Sequence, residues 1–203
     1  LKLSMWMRID GCLGPSVAAG DAPEVRCLNR IFRWVSETDS SPAAIELEAD
    51  PRHQQIIKKQ LGLMNSSKGV VTPGVKASSP ELGENLVGED ATSFRSLTMR
   101  SSYLAEDRPE MRFAVREIAR LMSSPCETGM GWLKRLGRFL IDQPRTVQSF
   151  PMQQPVPHFT AFHDSDHAGC VRTRNSTTCV ALCHGSHLIK FISATQTPIA
   201  LSP

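Results

Sequence analysis

The amino-acid sequence predicts a mixed α+β fold, in which a β-hairpin and several helices precede a three-stranded antiparallel sheet. Over residues 50–141, apolar residues recur mainly at intervals of three or four, which is typical of amphipathic helices. Beyond residue 158 the interval changes to about two, which is typical of half-buried strands. Hydrophobic residues make up 40% of the 203 residues, enough to form a core.

The start of the chain is predicted to be irregular, followed by a hairpin. Residues 1–23 are assigned no regular structure because most of their second half is Gly, Pro or Ala. Apolar and basic residues partly alternate over residues 25–35, which predicts one half-buried strand. A turn-like stretch leads to a second short strand at residues 44–48. We therefore expect residues 24–62 to comprise a hairpin and the helix that follows it.

That first helix has clear boundary signals. Asp50 is a good N-cap, Pro51 suits the first helical position, and Gly62 is a typical stop. Residues 63–92 contain Gly, Pro, Ser and Asn throughout, which predicts a linker or long loop.

Three more helices are predicted within residues 93–149, at about 93–104, 107–122 and 131–141. Each has an apolar face that we expect to be buried. The predicted inward-facing residues are Phe94, Leu97, Ser101 and Leu104, then Met111, Ala114, Val115, Ile118 and Met122, then Leu133, Leu136, Phe139 and Leu140.

A proline-rich stretch, residues 150–158, is predicted to lack regular structure and to separate two domains, because its prolines remove hydrogen-bond donors. The final unit, residues 159–203, has three strand candidates at 159–164, 177–183 and 188–193. A Gly-Ser turn makes the last two strands a hairpin.

Composition limits the classes of protein. The net charge of +3 and the pI near 8.6 allow a phosphate-bearing partner without requiring one. No stretch approaches the roughly 18 apolar residues that a membrane helix needs, so no membrane partner is expected.

The chain begins with Leu1, which predicts that it lies inside a longer reading frame. Without a signal peptide, the six cysteines predict reduced thiols in an intracellular protein: Cys12, Cys27, Cys126, Cys170, Cys179 and Cys183.

Two acidic residues at the end of an apolar strand are the candidate catalytic pair. Asp164 and Asp166 are two residues apart, so an extended strand would direct both to one face. Carboxylates in this arrangement suit Mg²⁺, although two-metal hydrolysis of a phosphodiester needs more carboxylates than these two. The alternative interpretation is an Asp-rich turn that closes a strand.

Two other groups of residues have a functional and a structural interpretation. Cys179 and Cys183, with nearby histidines, suggest zinc, but on one strand they would lie about 13 Å apart, too far for one zinc ion. The alternative is small apolar residues on a strand face. Lys134, Arg135 and Arg138 form a basic ridge on the last helix, which is either a solvated face or a surface that contacts phosphates.

Several motifs, in a fixed order, resemble the Pol polyproteins of copia-type LTR retrotransposons. The motifs are Val71-Thr72-Pro73-Gly74, Phe94-Arg95-Ser96-Leu97, Arg108-Pro109-Glu110-Met111, Leu133-Lys134-Arg135-Leu136-Gly137-Arg138-Phe139-Leu140, Asp164-Ser165-Asp166-His167-Ala168-Gly169, Arg172-Thr173-Arg174-Asn175-Ser176-Thr177, His187-Leu188-Ile189 and Ser193-Ala194-Thr195-Gln196. The resemblance extends over residues 24–202. It implies the C-terminal part of a reverse transcriptase followed by the first strands of a ribonuclease H domain.

This resemblance assigns a role to each segment. Residues 24–62 correspond to the end of the palm, 93–149 to thumb or connection helices and 159–203 to a partial ribonuclease H domain. Asp164 corresponds to the first catalytic carboxylate, which binds Mg²⁺, and Asp166 to its companion.

The resemblance also implies partners and a location. Lys134, Arg135 and Arg138 would contact an RNA–DNA hybrid or template–primer duplex, and the rest of the Pol polyprotein would be a further partner. The location would be intracellular, in a cytoplasmic particle or the nucleus.

The sequence departs from the family pattern in ways that affect activity. His167 replaces the usual Trp, and neither the catalytic Glu after Leu-Ser-Ser nor the Tyr-x-Asp-Asp polymerase signature is present. We therefore expect neither nuclease nor polymerase activity from this chain alone, and an unprotected edge on its last strand. The alternatives are a decayed genomic copy without function, a stand-alone basic helical module that binds nucleic acid, and a zinc-binding interaction module.

Overall fold

In the computed structural model, which describes residues 12–16, 20–63, 67–75 and 81–197, the chain forms two antiparallel sheets, a short parallel pair of strands and a group of helices. The described strands are β1 (Cys12–Leu13), β2 (Asp21–Ala22), β3 (Glu24–Cys27), β4 (Arg30–Val35), β5 (Ala44–Ala49), β6 (Val147–Pro151), β7 (Thr160–Ser165), β8 (Thr177–His184) and β9 (His187–Thr195). The helices are α1 (Pro51–Gln60), α2 (Gly88–Ala105), α3 (Arg112–Ala119) and α4 (Glu127–Asp142). The predicted mixed α+β class is confirmed.

The first sheet has four strands in the order β3-β4-β5-β6, and it differs from the predicted hairpin in two respects. The segment predicted as one strand over residues 25–35 is itself a hairpin, in which β3 pairs antiparallel with β4. Leu28 and Asn29 form its turn with φ values of 49° and 60°. Two left-handed residues in succession are what a two-residue hairpin turn requires. The prediction missed this turn because Leu-Asn lacks the glycine of the usual signal.

The fourth strand, β6, corrects the prediction that residues 150–158 lack regular structure only at residues 150 and 151, because residues 152–158 are in neither a helix nor a strand. β6 extends to Pro151, which lies opposite Ala44 of β5. Proline is tolerated here because β6 is the edge of its sheet and Pro151 is its last residue. A second local correction concerns residues 1–23, where β1 and β2 form a short parallel pair. Residues 1–11 of that predicted irregular region lie outside the described residues.

The helices confirm most of the local predictions. The side chain of Asp50 accepts a hydrogen bond from the Arg52 backbone N–H at 2.9 Å, and Gly62 follows α1 with a φ of 66°. α2 begins at Gly88 and α4 at Glu127, so both start earlier than predicted. α3 is preceded by a short 3₁₀ turn, Pro109–Met111.

The core lies between the four helices, as their apolar faces predicted. Its buried members include Ile57, Phe94, Leu97, Leu104, Met111, Ala114, Val115, Ile118, Leu133, Leu136, Phe139 and Leu140. Val70, Leu82 and Leu86 also pack against this core. Within residues 63–92, which were predicted to be a linker or long loop, these three residues therefore pack against the helices, and residues 88–92 belong to α2.

The second sheet contains β7, β8 and β9 in that order, and both of its pairs are antiparallel. The three predicted strands and the Gly-Ser turn are confirmed, with Gly185 at a φ of 59°. Within the described residues, no helix is both long and apolar enough to cross a membrane.

Candidate functional site

The candidate catalytic residue Asp164 lies near the end of strand β7, as predicted. It is opposite Cys179 of β8, and its side chain is exposed to solvent. Its Oδ1 accepts a hydrogen bond from the backbone N–H of Ser165 at 2.9 Å. The carboxylate is therefore on a paired strand, and its outward side is open to a ligand.

Asp166, the predicted companion, is occupied by a structural contact. Its Oδ1 accepts a hydrogen bond from the backbone N–H of Thr177, and its own N–H donates to Thr177 O at 3.1 Å. A Cβ on Gly169 would lie 1.6 Å from the Asp166 Oδ2, so glycine leaves room for this carboxylate. Asp166 thus holds the loop between β7 and β8 against the start of β8, which is closer to the turn-closing interpretation.

The predicted Mg²⁺ site remains a prediction. Among the described residues, no three His, Cys, Asp or Glu side chains come together as a metal-binding group. Asp164 offers carboxylate oxygens of the kind that Mg²⁺ binds, but by itself it is not sufficient, and the ion would need further ligands. His167, where the resembling family has Trp, is exposed in the same loop. Cys179 and Cys183 are both members of β8, four residues apart along the strand.

Cys170, in the loop before β8, has a chemically distinct environment. Burial raises the pKa of its thiol, but hydrogen bonds from Thr173, Arg120 and the Arg172 backbone outweigh this and lower the pKa to about 7. The Arg120 guanidinium lies 3.2 Å from its Sγ. A thiol in such a setting is partly ionised at neutral pH.

The predicted basic ridge on α4 is partly covered by residues 67–75. Lys134 is exposed, whereas Arg135 and Arg138 are half-buried. Arg135 donates to Thr72 Oγ1 at 2.6 Å, and Arg138 donates to Lys68 O at 2.7 Å. Residues 67–75 therefore position two of the three ridge residues, Arg135 through Thr72 of the Thr-Pro motif and Arg138 through Lys68, which sequence analysis did not foresee.

Lys134 also borders a cleft of about 460 Å³ between α2 and α4. Leu61, Leu86 and Leu97 contribute apolar surface to this cleft, while Asp90 and Glu127 contribute carboxylates. The cleft thus combines one cation, two anions and apolar surface beside the ridge.

A second group of arginines surrounds the first sheet and the start of α1. Arg33 and Arg145 pair with the buried carboxylate of Glu48, and Arg52 pairs with Asp50. The guanidinium of Arg145 lowers the pKa of Glu48, and that of Arg52 lowers the pKa of Asp50. These two acids therefore stay ionised and anchor arginines at the sheet surface.

Sequence analysis missed a row of three arginines on α3. Arg112 and Arg116 donate hydrogen bonds to backbone carbonyls of β9, and Arg120 contacts the loop that contains Cys170. Their spacing of four residues was visible in the sequence and places them on one side of the helix. Only the tertiary structure reveals what that side faces.

Comparison with known proteins gives the relationship of the chain. It is 31% and 30% identical, over 143 residues or 68% of its length, to the retrovirus-related Pol polyproteins from transposons RE1 and RE2 of Arabidopsis thaliana. It is 30% identical over 115 residues, 56% of its length, to the uncharacterized mitochondrial protein AtMg00810 of the same plant. The matches span 47% of that mitochondrial protein, 9% of the RE1 polyprotein and 10% of the RE2 polyprotein. No family model and no solved structure matches the chain.

These relationships define the class of protein. The chain is homologous to a segment of the retrovirus-related Pol polyproteins of transposons. The resemblance to Pol found in the motifs is thereby confirmed, and it is consistent with a Pol segment of the copia type.

Proposed function

We propose that this chain is the part of a retrotransposon reverse transcriptase and ribonuclease H that binds an RNA–DNA hybrid or a template–primer duplex. The observation that carries the proposal is the homology to Pol polyproteins over 68% of the chain, which includes more than one of its structural units. In this proposal α4 contacts the phosphate backbone, and Asp164 contributes one ligand to a Mg²⁺ site. The ribonuclease-H-like nature of the second sheet belongs to the same proposal.

The geometry of α4 supports phosphate contact without sequence specificity. Lys134 is exposed, and neither Arg135 nor Arg138 forms an ion pair with a carboxylate among the described residues. Their contacts on residues 67–75 are to neutral acceptors and use only part of each guanidinium. The positive charges of the ridge therefore remain available to phosphates, which release counterions when such cations bind them.

The same proposal holds that the chain does not cleave nucleic acid by itself. Asp164 is exposed on β7, but the Asp166 carboxylate is bonded to the β8 backbone. Hydrolysis by two metal ions requires ligands that hold both ions about 3.5–4 Å apart. The missing ligands would come from other parts of the polyprotein.

Binding is tested by fluorescence anisotropy with a labelled RNA–DNA hybrid at several salt concentrations. We expect the variant K134Q/R138Q to bind more weakly than the unaltered chain. The slope of log K against log salt should fall by about 1.8 in magnitude, which is about 0.9 for each of the two phosphates that are no longer neutralised. Arg135 is retained because its Nε is buried, so its replacement would disturb packing.

The matched control is K58Q/K59Q, which removes two charges from the last turn of α1. It should change the slope by much less, because the proposal places these lysines outside the interface. Equal slopes for the two double variants would argue against a binding surface on α4.

Cleavage is tested separately with the same hybrid in Mg²⁺. We expect no product above that of the variant Asp164→Asn. Efficient cleavage by the unaltered chain, abolished in the variant, would show that the site is complete and would contradict this part of the proposal.

A further inference from the structure

The arginine row of α3 lies along the outer edge of strand β9. Arg112 donates a hydrogen bond to Phe191 O, and Arg116 donates to Ser193 O. Arg116 also donates to the Oγ1 of Thr195 at 3.2 Å. The helix therefore meets the strand through side-chain donors directed at backbone and hydroxyl acceptors.

The regularity of these contacts follows from two matching repeats. Residues four apart on a helix are separated by about 6.0 Å along its axis. Alternate residues of an antiparallel strand are separated by about 6.8 Å and present their carbonyls to the same edge. Arg112 and Arg116 can therefore meet Phe191 and Ser193 in succession with only a small adjustment of each side chain.

The two edges of the second sheet differ as a result. In the order β7-β8-β9, the edge strand β7 is exposed at each of its six residues. On the other edge, the carbonyls of Phe191 and Ser193 are already bonded to arginines. The sequence had led us to expect an unprotected last strand, and the structure corrects this for its second half, where the arginines of α3 bond to Phe191, Ser193 and Thr195.

The guanidinium of Arg116 can bond to the β9 edge because no carboxylate among the described residues forms an ion pair with it. Among the ion pairs of the described residues, Arg112 pairs with Glu106 and Arg120 with Glu117, whereas Arg116 appears in none. Its side-chain hydrogen bonds go to Ser193 and Thr195 of β9. Replacement of Arg116 therefore removes its bonds to β9 without leaving a carboxylate unpaired.

We propose that Arg112 and Arg116 form a latch that fixes the β7–β9 sheet against α3 by occupying the β9 edge. An added strand would need the carbonyls that the latch already uses, so the β9 edge is closed to strand pairing while the latch is in place. Removal of the latch weakens the attachment of the sheet to the helices, leaving the contacts of Arg120 with Cys170 and Thr173, and opens this edge. The latch is a conformational device independent of the proposed nucleic-acid interface on α4.

The test uses the full chain with the variants R116Q and R112Q/R116Q. Chymotrypsin cleavage after Phe159, in the connection between β6 of the first sheet and β7 of the second, reports how often the second sheet leaves its position against α3. We expect the double variant to be cleaved about tenfold faster than the unaltered chain, which corresponds to about 1.4 kcal/mol, and R116Q to lie between them. Sedimentation velocity should show concentration-dependent association of the double variant, because its β9 edge is open.

The matched control is R95Q. Arg95 also donates a side-chain hydrogen bond to a backbone carbonyl, that of Met122, but it lies on α2 away from β9. Its cleavage rate should equal that of the unaltered chain. Arg112 also donates to Ala105 O at the end of α2, so helical circular dichroism must show that the double variant keeps its helices. If the double variant loses helical signal, the test rests on R116Q, which leaves the bond between Arg112 and Ala105 O intact.

Unchanged cleavage in R116Q together with unchanged cleavage in a folded double variant would overturn the proposal. An equal acceleration in R95Q would also overturn it, because the effect would then be a general reduction of stability. Faster cleavage that is confined to the latch variants, accompanied by association of the double variant, is the result that supports it.

Discussion

Replacement by alanine should stabilise the chain at one glycine of helix α4 but not at another. Gly131 is exposed, and a Cβ at its position would have no heavy atom within 4 Å apart from its chain neighbours and the surrounding backbone of α4. Gly137 is buried, and a Cβ there would lie 2.5 Å from Cδ1 of Leu63 and 2.7 Å from Cδ1 of Leu61. Since both positions are within the same helix, they form a matched pair in which only the surroundings differ.

The expected magnitudes follow from two terms. Alanine is favoured over glycine within a helix by about 1 kcal/mol, so G131A should raise the free energy of unfolding by up to that amount. In G137A the same gain is opposed by overpacking, which typically costs about 1–3 kcal/mol. The displaced atoms are the ends of leucine side chains, so they can move in part. We expect G137A to range from neutral to about 2 kcal/mol less stable than the unaltered chain.

The assay is urea unfolding followed by helical circular dichroism for both variants. A destabilised G137A should also expose the basic ridge, because the segment after Leu63 supplies the acceptors of Arg135 and Arg138. If G137A were stabilised as much as G131A, the close approach of Leu61 and Leu63 to α4 would be refuted.

Two further predictions concern titratable groups. Because ion pairing with its arginine lowers the pKa of Asp50 below 3.8, its charge stabilises the folded state above that pH, and this contribution is lost as the pH falls through the folded-state pKa. D50N keeps an N-cap acceptor but loses the charge, so at pH 7 it should melt at a lower temperature than the unaltered chain. The difference in melting temperature should narrow below about pH 4, and a difference that does not change with pH would contradict the ion-pair explanation. The Cys170 thiol, with a pKa lowered to about 7, should react with iodoacetamide at a rate that is half-maximal near pH 7. In R120Q the midpoint should move to higher pH, and an unmoved midpoint would show that the guanidinium does not act on the thiol.

Local signals in the sequence were sufficient for the helices and for the last three strands. The cap at Asp50, the stop at Gly62 and the apolar faces of α2 to α4 each depend on residues a few positions apart. The same is true of the hairpin at Gly185, where the turn and the alternation lie within one stretch. Such patterns reflect backbone preferences that the neighbouring residues alone determine.

Contacts between distant segments could not be predicted in this way. Nothing near Pro151 indicates that it pairs with Ala44, and nothing near Thr72 indicates that it accepts a hydrogen bond from Arg135. The candidate site shows the same division. The position of Asp164 on a strand was predictable, whereas the bond between Asp166 and Thr177 depended on how the intervening loop closes.

The pairing of β5 with β6 also bears on how the chain folds while it is being synthesised. The ion pair between Glu48 and Arg145, which accompanies this pairing, joins residues 97 positions apart. At about 5–20 residues per second, β5 leaves the ribosome about 5–20 s before its partner strand has been made. During that interval the outer edge of β5 is open to strands of neighbouring nascent chains, so the helices must fold and return the chain to the sheet before the edge is closed.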